Sequence, residues 1–346
     1  MAKVKSVDEV LKNFNPNDPA SDNAGVFGLP FSPDQSKLVL YPVEWEATVS
    51  YQSGTAKGPS AVLEASKQVD LYDPIAPNAW KQGIAMLKPN KSISSLSKKM
   101  RPKVEKYLDG LTAGKTNKTV LNEVNEACVW MNNQVRSDIR ALLDKGHLVG
   151  MLGGDHSTPM GYFAALSAMG EEFGILQIDA HCDLRNAYEG FTYSHASIMY
   201  NALQLKGVKA LVQVGIRDYC EEEMNLINSD KRISTFFDRD LKRAQIEGKS
   251  WKALVDSIIK KLPAKVFISF DIDGLDPKMC PNTGTPVPGG LEYEQAIYLM
   301  ESLIKAKKKI IGFDLNEVAP GKDEWDANVG ARLLFKMCHI ILKANA

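Results

Sequence analysis

Gly174-Ile175-Leu176-Gln177-Ile178-Asp179-Ala180-His181-Cys182-Asp183 (residues 174–183) decides how the rest of the chain is read. A short apolar run, expected as a strand over 174–179, breaks off into two carboxylates and an imidazole. In extended backbone, residues i, i+2 and i+4 share a face. Asp179, His181 and Asp183 are therefore expected to converge, with Ala180 and Cys182 turned into packing. On that reading Cys182 is core and not a ligand. The pattern recurs. The run ending at Leu152 is followed by Gly153-Gly154-Asp155-His156-Ser157. The run 266–270 ends in Asp271-Ile272-Asp273-Gly274-Leu275-Asp276-Pro277, where Asp271 and Asp273 repeat the i, i+2 spacing. A last run ends Asp314-Leu315-Asn316-Glu317.

Further runs of the same kind mark strands over 38–41, 148–152, 210–215, 266–271 and 310–315. Between them, helical periodicity predicts helices over 59–69, 119–145, 158–169, 194–204, 250–261, 292–306 and 326–343. Near-continuous apolar strands alternating with helices imply an α/β fold, a parallel sheet covered on both faces. Such sheets bind ligands beyond the carboxyl ends of their strands, which is where the acids and histidines fall. Residues 1–36, with Asn15, Pro16, Asn17 and Pro19, show little periodicity and read as an extension packed on a single catalytic domain over 37–346.

Composition narrows the field of partners. The 346 residues carry 42 Lys+Arg against 42 Asp+Glu, so no bulk field draws the chain to nucleic acid or anionic membrane. Residues 88–118 hold nine Lys/Arg against Glu105 and Asp109. Without interleaved aromatics this stretch reads as a solvated helical face and not a nucleic-acid patch. No apolar run approaches the ~18 residues of a membrane span, and the start of the chain lacks the apolar centre of a signal peptide. Five scattered cysteines read as reduced thiols, so a cytoplasmic location is expected.

Four Asp and two His gathered at neighbouring strand ends would repel one another or take up protons if left bare. Divalent cations remove that conflict. The set is too large for one ion with an open position and suits two ions sharing a carboxylate. Oxygen-rich, thiol-free ligation favours Mn(II), with Zn(II), Ni(II) or Co(II) as alternatives. Two such ions lower the pKa of a shared water and enable attack on an electrophilic carbon or phosphorus. Phosphoryl substrates call for cationic clamps, and only Arg185 is at hand. Glu317 instead suits a planar cation such as a guanidinium.

GGDHS (153–157), DAHCD (179–183), SFDIDGLDP (269–277) and TGTPVPGGL (283–291), with the Glu317 strand, resemble the ureohydrolase family of arginases, agmatinases and formiminoglutamases. Residues 50–59, Ser-Tyr-Gln-Ser-Gly-Thr-Ala-Lys-Gly-Pro, are similar to a further loop of that family. The resemblance covers roughly 38–343. It implies a three-layer α/β/α fold with a mainly parallel central sheet and two Mn(II) per subunit. His156, Asp179, Asp183 and Asp271 would sit on one ion or the other, with His181 and Asp273 completing the set. Asp179 and Asp271 would bridge, Asp183 would accept a hydrogen bond from the nucleophile, and Glu317 would hold the guanidinium. His195, in Ser194-His195-Ala196-Ser197, would relay a proton to the leaving amine. His147 and His339 are assigned to structure. A trimer or hexamer is implied as well.

The stretch from Leu184 to Ser197 resembles the DLRxxYxGxxxSHAS segment of an agmatinase subgroup and departs from the arginase loop. Agmatine, hydrolysed to urea and putrescine, is therefore the first expectation. Arg185 weighs the other way: paired with Glu189 it is structural, but facing the pocket it would hold the carboxylate of arginine or of a guanidino acid. Two further readings are a formimino-amide hydrolase and a metal-binding protein without catalysis.

Overall fold

The computed structural model describes residues 6–21 and 23–346. Eight strands form one sheet: β1 Leu38–Pro42, β2 Ile84–Met86, β3 Leu148–Leu152, β4 Phe173–Ile178, β5 Val208–Ile216, β6 Ile233–Phe237, β7 Lys265–Asp271 and β8 Lys309–Asn316. Their order is β2-β1-β3-β8-β7-β4-β5-β6, and every pairing is parallel. The sheet is parallel because each strand returns through a helical crossover that covers one face.

Alternation within a strand sorts side chains between the two layers. Leu38 and Leu40 of β1 enter one core, built on the helices Gly58–Ser66, Trp251–Ile259, Tyr293–Lys305 and Trp325–Ala344. Val39 and Tyr41 enter the other, built on Lys91–Thr112, Lys118–Asp144 and Met160–Ala168. This is the α/β/α sandwich that the resemblance implied. In β7, Phe267, Ile268 and Phe270 are buried, at roughly 1.5–3 kcal/mol each.

Two strands and several helices depart from the expectation. β2 is apolar but only three residues long, and β6 is a half-buried edge strand whose run is broken by Ser234 and Thr235. Two short helices, Glu221–Ser229 and Asp238–Ile246, lie beside β6. The basic 88–118 stretch forms the helix Lys91–Thr112, which buries Ile93, Met100 and Val104 against the domain. The expected helix over 194–204 shortens to a 3₁₀ turn, His195–Ser197, and one turn of α-helix, Ile198–Ala202. In the extension, Val26, Phe27 and Leu29 are buried, and the Phe27 ring meets Phe335 at 5.2 Å. Leu333, Leu334, Phe335 and Ile340 of the last helix belong to the core.

The topology gathers chemistry at one place. β7 and β8 come late in the chain and fill the gap between β3 and β4. The four motif-bearing strands are therefore the adjacent central ones, and their carboxyl ends open side by side at the reversal of strand order.

Candidate metal centre

Gly153 and Gly154 let β3 end against its neighbours. A Cβ at Gly154 would lie 1.9 Å from the Trp45 carbonyl oxygen, and one at Gly153 1.8 Å from Asn316 Oδ1. This close approach delivers His156 into the sheet's mouth. There His156 Nδ1 lies 2.9 Å from Asp179 Oδ2, 3.0 Å from Asp183 Oδ2 and 3.3 Å from Asp271 Oδ2. His181 Nδ1 lies 3.1 Å from Asp273 Oδ2 and 3.6 Å from Asp179 Oδ1. Two ligand groups result: His156, Asp179 and Asp183, and Asp179, His181 and Asp273. Asp179 belongs to both.

Convergence is reached by a different route from simple strand alternation. β4 ends at Ile178, and Asp183 takes a left-handed backbone, φ 54°. The Met199 and Tyr200 amides hold its carbonyl. Asp271 and Asp273 are joined by the 3₁₀ turn Ile272–Gly274, because Asp271 Oδ1 accepts the Asp273 amide at 2.9 Å and curls the chain. Glu317, just past β8, also has positive φ, 63°. Such backbone costs of order 1 kcal/mol or more outside glycine, and here it aims two acids inward.

The donor set fits divalent cations. His156 Nδ1 is buried without a well-aligned hydrogen bond, although three carboxylate oxygens surround it. Its Nε2 lies 2.9 Å from Ser269 Oγ, which in turn donates to Asp314 Oδ1 at 3.1 Å. This partner can take the Nε2 proton, so that a neutral ring would turn its Nδ1 lone pair toward the acids, the outer-shell arrangement of a liganding imidazole. Burial, with the Asp179 charge, pushes Asp183 up to about 7. Burial, with the charges of Asp273 and Asp179, raises Asp271 well above the carboxylate range. Burial would raise Asp179 too, but its hydrogen bonds and charge pairing with His156 and His181 hold it low. One imidazole cannot satisfy three acids, whereas a cation bonds to all of them.

The other expected residues line or adjoin this centre. Glu317 Oε1 accepts the His156 amide at 2.9 Å, and its Oε2 is buried and unpartnered beside Gly284. Burial first, then the Asp155 charge, raises its pKa. A pocket of about 410 Å³ opens over His181 and Asp183, with Ser50, Arg185, Tyr188 and His195 on its walls. His195 is buried, with Nε2 3.4 Å from Ser50 Oγ and Nδ1 3.3 Å from Ser194 Oγ. Burial and the nearby His181 and His156 push it down to about 3, so the ring is neutral. Arg185 lies over the Tyr188 ring at 4.6 Å, with no contact to Glu189 as short as 4.0 Å among the described residues, although its charge still acts on that carboxylate. His147 and His339 instead bond to the carbonyls of Ser36 and Phe335. Cys182 is in the core.

Ser269 and Asp314 stand inside the quoted motifs but carry no role in the motif reading. They are register partners on β7 and β8, and their pairing is visible only across strands. The available signal was a polar residue inside an apolar run, which must find a partner when buried.

A parallel α/β sandwich with a two-ligand-group His/Asp centre at its central strand ends is the architecture of a metal-dependent hydrolase. The chain belongs to the arginase family, whose profile matches residues 36–339. It is 31% identical over 284 residues to a Synechocystis protein named N(1)-aminopropylagmatine ureohydrolase, covering 82% of this chain and 81% of that one. It is 26% identical to an agmatinase of Halalkalibacterium halodurans, covering 84% of this chain and 86% of the relative. The agmatine ureohydrolase of Thermoplasma volcanium shares the fold at TM-score 0.70 and 24% identity, over 97% of this chain and 98% of that one. A Bacillus caldovelox arginase shares it at TM-score 0.62 and 22% identity, over 87% and 98%.

Proposed function

We propose that this protein is a binuclear-metal ureohydrolase that cleaves a guanidino compound to urea and an amine, with agmatine as the first substrate. The observation that carries this reading is Asp179 shared between two His/Asp groups, beside a pocket lined by His181, Asp183 and His195, with the Glu317 carboxylate buried against the His156 amide. Agmatine is favoured by the 184–197 segment and by relatives named agmatinase and N(1)-aminopropylagmatine ureohydrolase.

His156, Asp179 and Asp183 would hold one ion and Asp179, His181 and Asp273 the other, with Asp271 beside the first. Mn(II) is the proposed metal. A bound pair would supply Lewis acidity and lower the pKa of a water. The rest falls to side chains. The free Oε2 of Glu317 accepts N–H bonds from the guanidinium and turns its carbon toward the centre. Asp183 accepts a hydrogen bond from the attacking water. An amine leaves readily only when protonated, and the neutral His195 ring, between Ser50 and Ser194, is placed to relay that proton. We further propose residues 37–346 as the catalytic domain, a cytoplasmic homo-oligomer, trimer or hexamer, and no nucleic-acid or membrane partner. Five unpaired cysteines agree with a reducing compartment, and among the described residues no helix is long and apolar enough to cross a membrane.

A second substrate reading rests on Arg185. Its guanidinium sits on the pocket wall against Tyr188, where it would hold the carboxylate of arginine or guanidinobutyrate. Urea release from agmatine, arginine, guanidinobutyrate and formiminoglutamate, after metal analysis of protein purified without added metal, tests both. Agmatine turnover supports the first reading, and turnover confined to the guanidino acids supports the second. Formamide from formiminoglutamate, with all three guanidino compounds inert, overturns both.

A further inference from the structure

Two fully buried amides, Gln177 of β4 and Gln213 of β5, interrupt apolar runs, and none of the roles above uses them. With Thr235 of the edge strand β6 they form a row of register partners, Gln177 opposite Gln213 and Gln213 opposite Thr235. Thr235 Oγ1 donates to Gln213 Oε1 at 2.7 Å. Gln213 Nε2 donates to Gln177 Oε1 at 2.7 Å and to the Cys182 carbonyl at 2.8 Å. Gln177 Nε2 donates to Asp179 Oδ2 at 2.8 Å and to the His181 carbonyl at 3.2 Å.

The row has a direction that its partners impose. Flipping Gln177 would set its oxygen against a carboxylate and a carbonyl. Flipping Gln213 would set its oxygen against the Cys182 carbonyl. Either flip would leave the His181 or the Cys182 carbonyl facing an oxygen in place of a donor. Every donor therefore points from the sheet edge toward residues 179–183, and each amide spends both its N–H bonds. The row ends on the carboxylate shared by the two ligand groups. Asp179 Oδ1 is held separately by the His181 amide at 2.6 Å, so the Gln177 bond fixes the second oxygen and with it the carboxylate plane. Buried, fully satisfied chains of this kind polarise one another and set one geometry.

We propose that Thr235, Gln213 and Gln177 are positioning residues that hold Asp179 and the 181–182 backbone in their ion-binding arrangement, acting from the edge of the sheet. This rests on the reading of Asp179 as an ion ligand. The test measures Mn(II) affinity by chelator competition, with thermal melting of the ion-free protein in parallel. Gln177→Leu is expected to weaken affinity about ten- to hundredfold. Thr235→Val, two strands away and nearly isosteric, is expected to weaken it about threefold while the ion-free melting point stays within about 2 °C. Thr235→Ser is expected to restore affinity, and Thr235→Val to add nothing once Gln177 is Leu. Should Gln177→Leu not fold, the Val and Ser variants of Thr235 decide alone. Unchanged affinity in Thr235→Val, or an equal loss in both backgrounds, overturns the row while leaving the ligand reading intact. Wild-type affinity in Asp179→Asn overturns the ligand reading and the row with it.

Discussion

Two buried polar clusters in this molecule reach opposite solutions. At the strand ends, one imidazole, His156, faces Asp179, Asp183 and Asp271 within 3.3 Å. Under the last helix, Asp73 is fully buried with its Oδ2 2.6 Å from Lys336 Nζ and its Oδ1 accepting the Ile75 amide at 2.9 Å. One turn on, His339 bonds through Nδ1 to its own helix and lies against the Phe335 ring at 4.0 Å. The second cluster sets one acid against one lysine, although Asp73 Oδ2 and His339 Nε2 make no aligned hydrogen bond. The first holds more acid than its own bases can satisfy, and that surplus is what marks a ligand site. Burial alone does not separate the two; the charge count inside each cluster does.

The sharpest way to break this contrast is to lower the surplus. Asp179→Asn is expected to weaken Mn(II) affinity by more than about a hundredfold, exceeding the effect of an outer-shell change, and to abolish urea release. Elemental analysis of the purified variant checks it; full occupancy would place the strand-end acids in the same structural category as Asp73. His195→Asn tests the pocket side of the same cluster. It is expected to lower kcat about a hundredfold at unchanged metal content. Unchanged turnover would remove the relay role.

One side of this contrast, the strand-end cluster, is legible in the sequence. The acids and histidines sit where apolar runs stop, and a run buried on both faces of a parallel sheet leaves a clear boundary. The central strands β3, β4, β7 and β8 were therefore readable, and with them His156, Asp179, His181, Asp183, Asp271, Asp273 and Glu317. β6 was not, because a half-exposed edge carries Ser234 and Thr235 among its apolar residues. Ser269–Asp314 and Gln177–Gln213 were hidden for another reason: each pair exists only once strands are in register. The i, i+2 argument picked out residues that the structure does bring together, but through a geometry the chain does not use, since a left-handed Asp183 and a 3₁₀ turn do the gathering. Asp73 and Lys336, 263 positions apart, carried no motif at all.

Unbalancing the second cluster should make it costly. Lys336→Met removes the partner of a buried carboxylate and is expected to destabilise the protein by about 2 kcal/mol, less than a fully enclosed pair because the lysine is partly exposed. Urea unfolding at pH 7 measures it. Activity per folded molecule should be unchanged, which separates this acid from those at the strand ends.

The smallest expected effect concerns His339. Burial lowers its pKa, while the Phe335 carbonyl and Asp73 act against that and Lys336 adds to it. The folded imidazole thus binds its proton less readily than the unfolded one, whose ordinary value is about 6.5. The unfolded state takes up the proton first as pH falls, so this residue's stabilising share is present above about pH 6.5 and is lost below it. His339→Leu is expected to lose less stability than the parent between pH 7 and pH 5, read as the difference in urea midpoints. In Lys336→Met the repelling ammonium is gone and Asp73 remains, so the imidazole should protonate more easily and the acid-side loss should shrink. Equal acid-side losses in all three proteins would show that His339 does not sense Lys336 or Asp73, and that this cluster is two separate contacts instead of one balanced group.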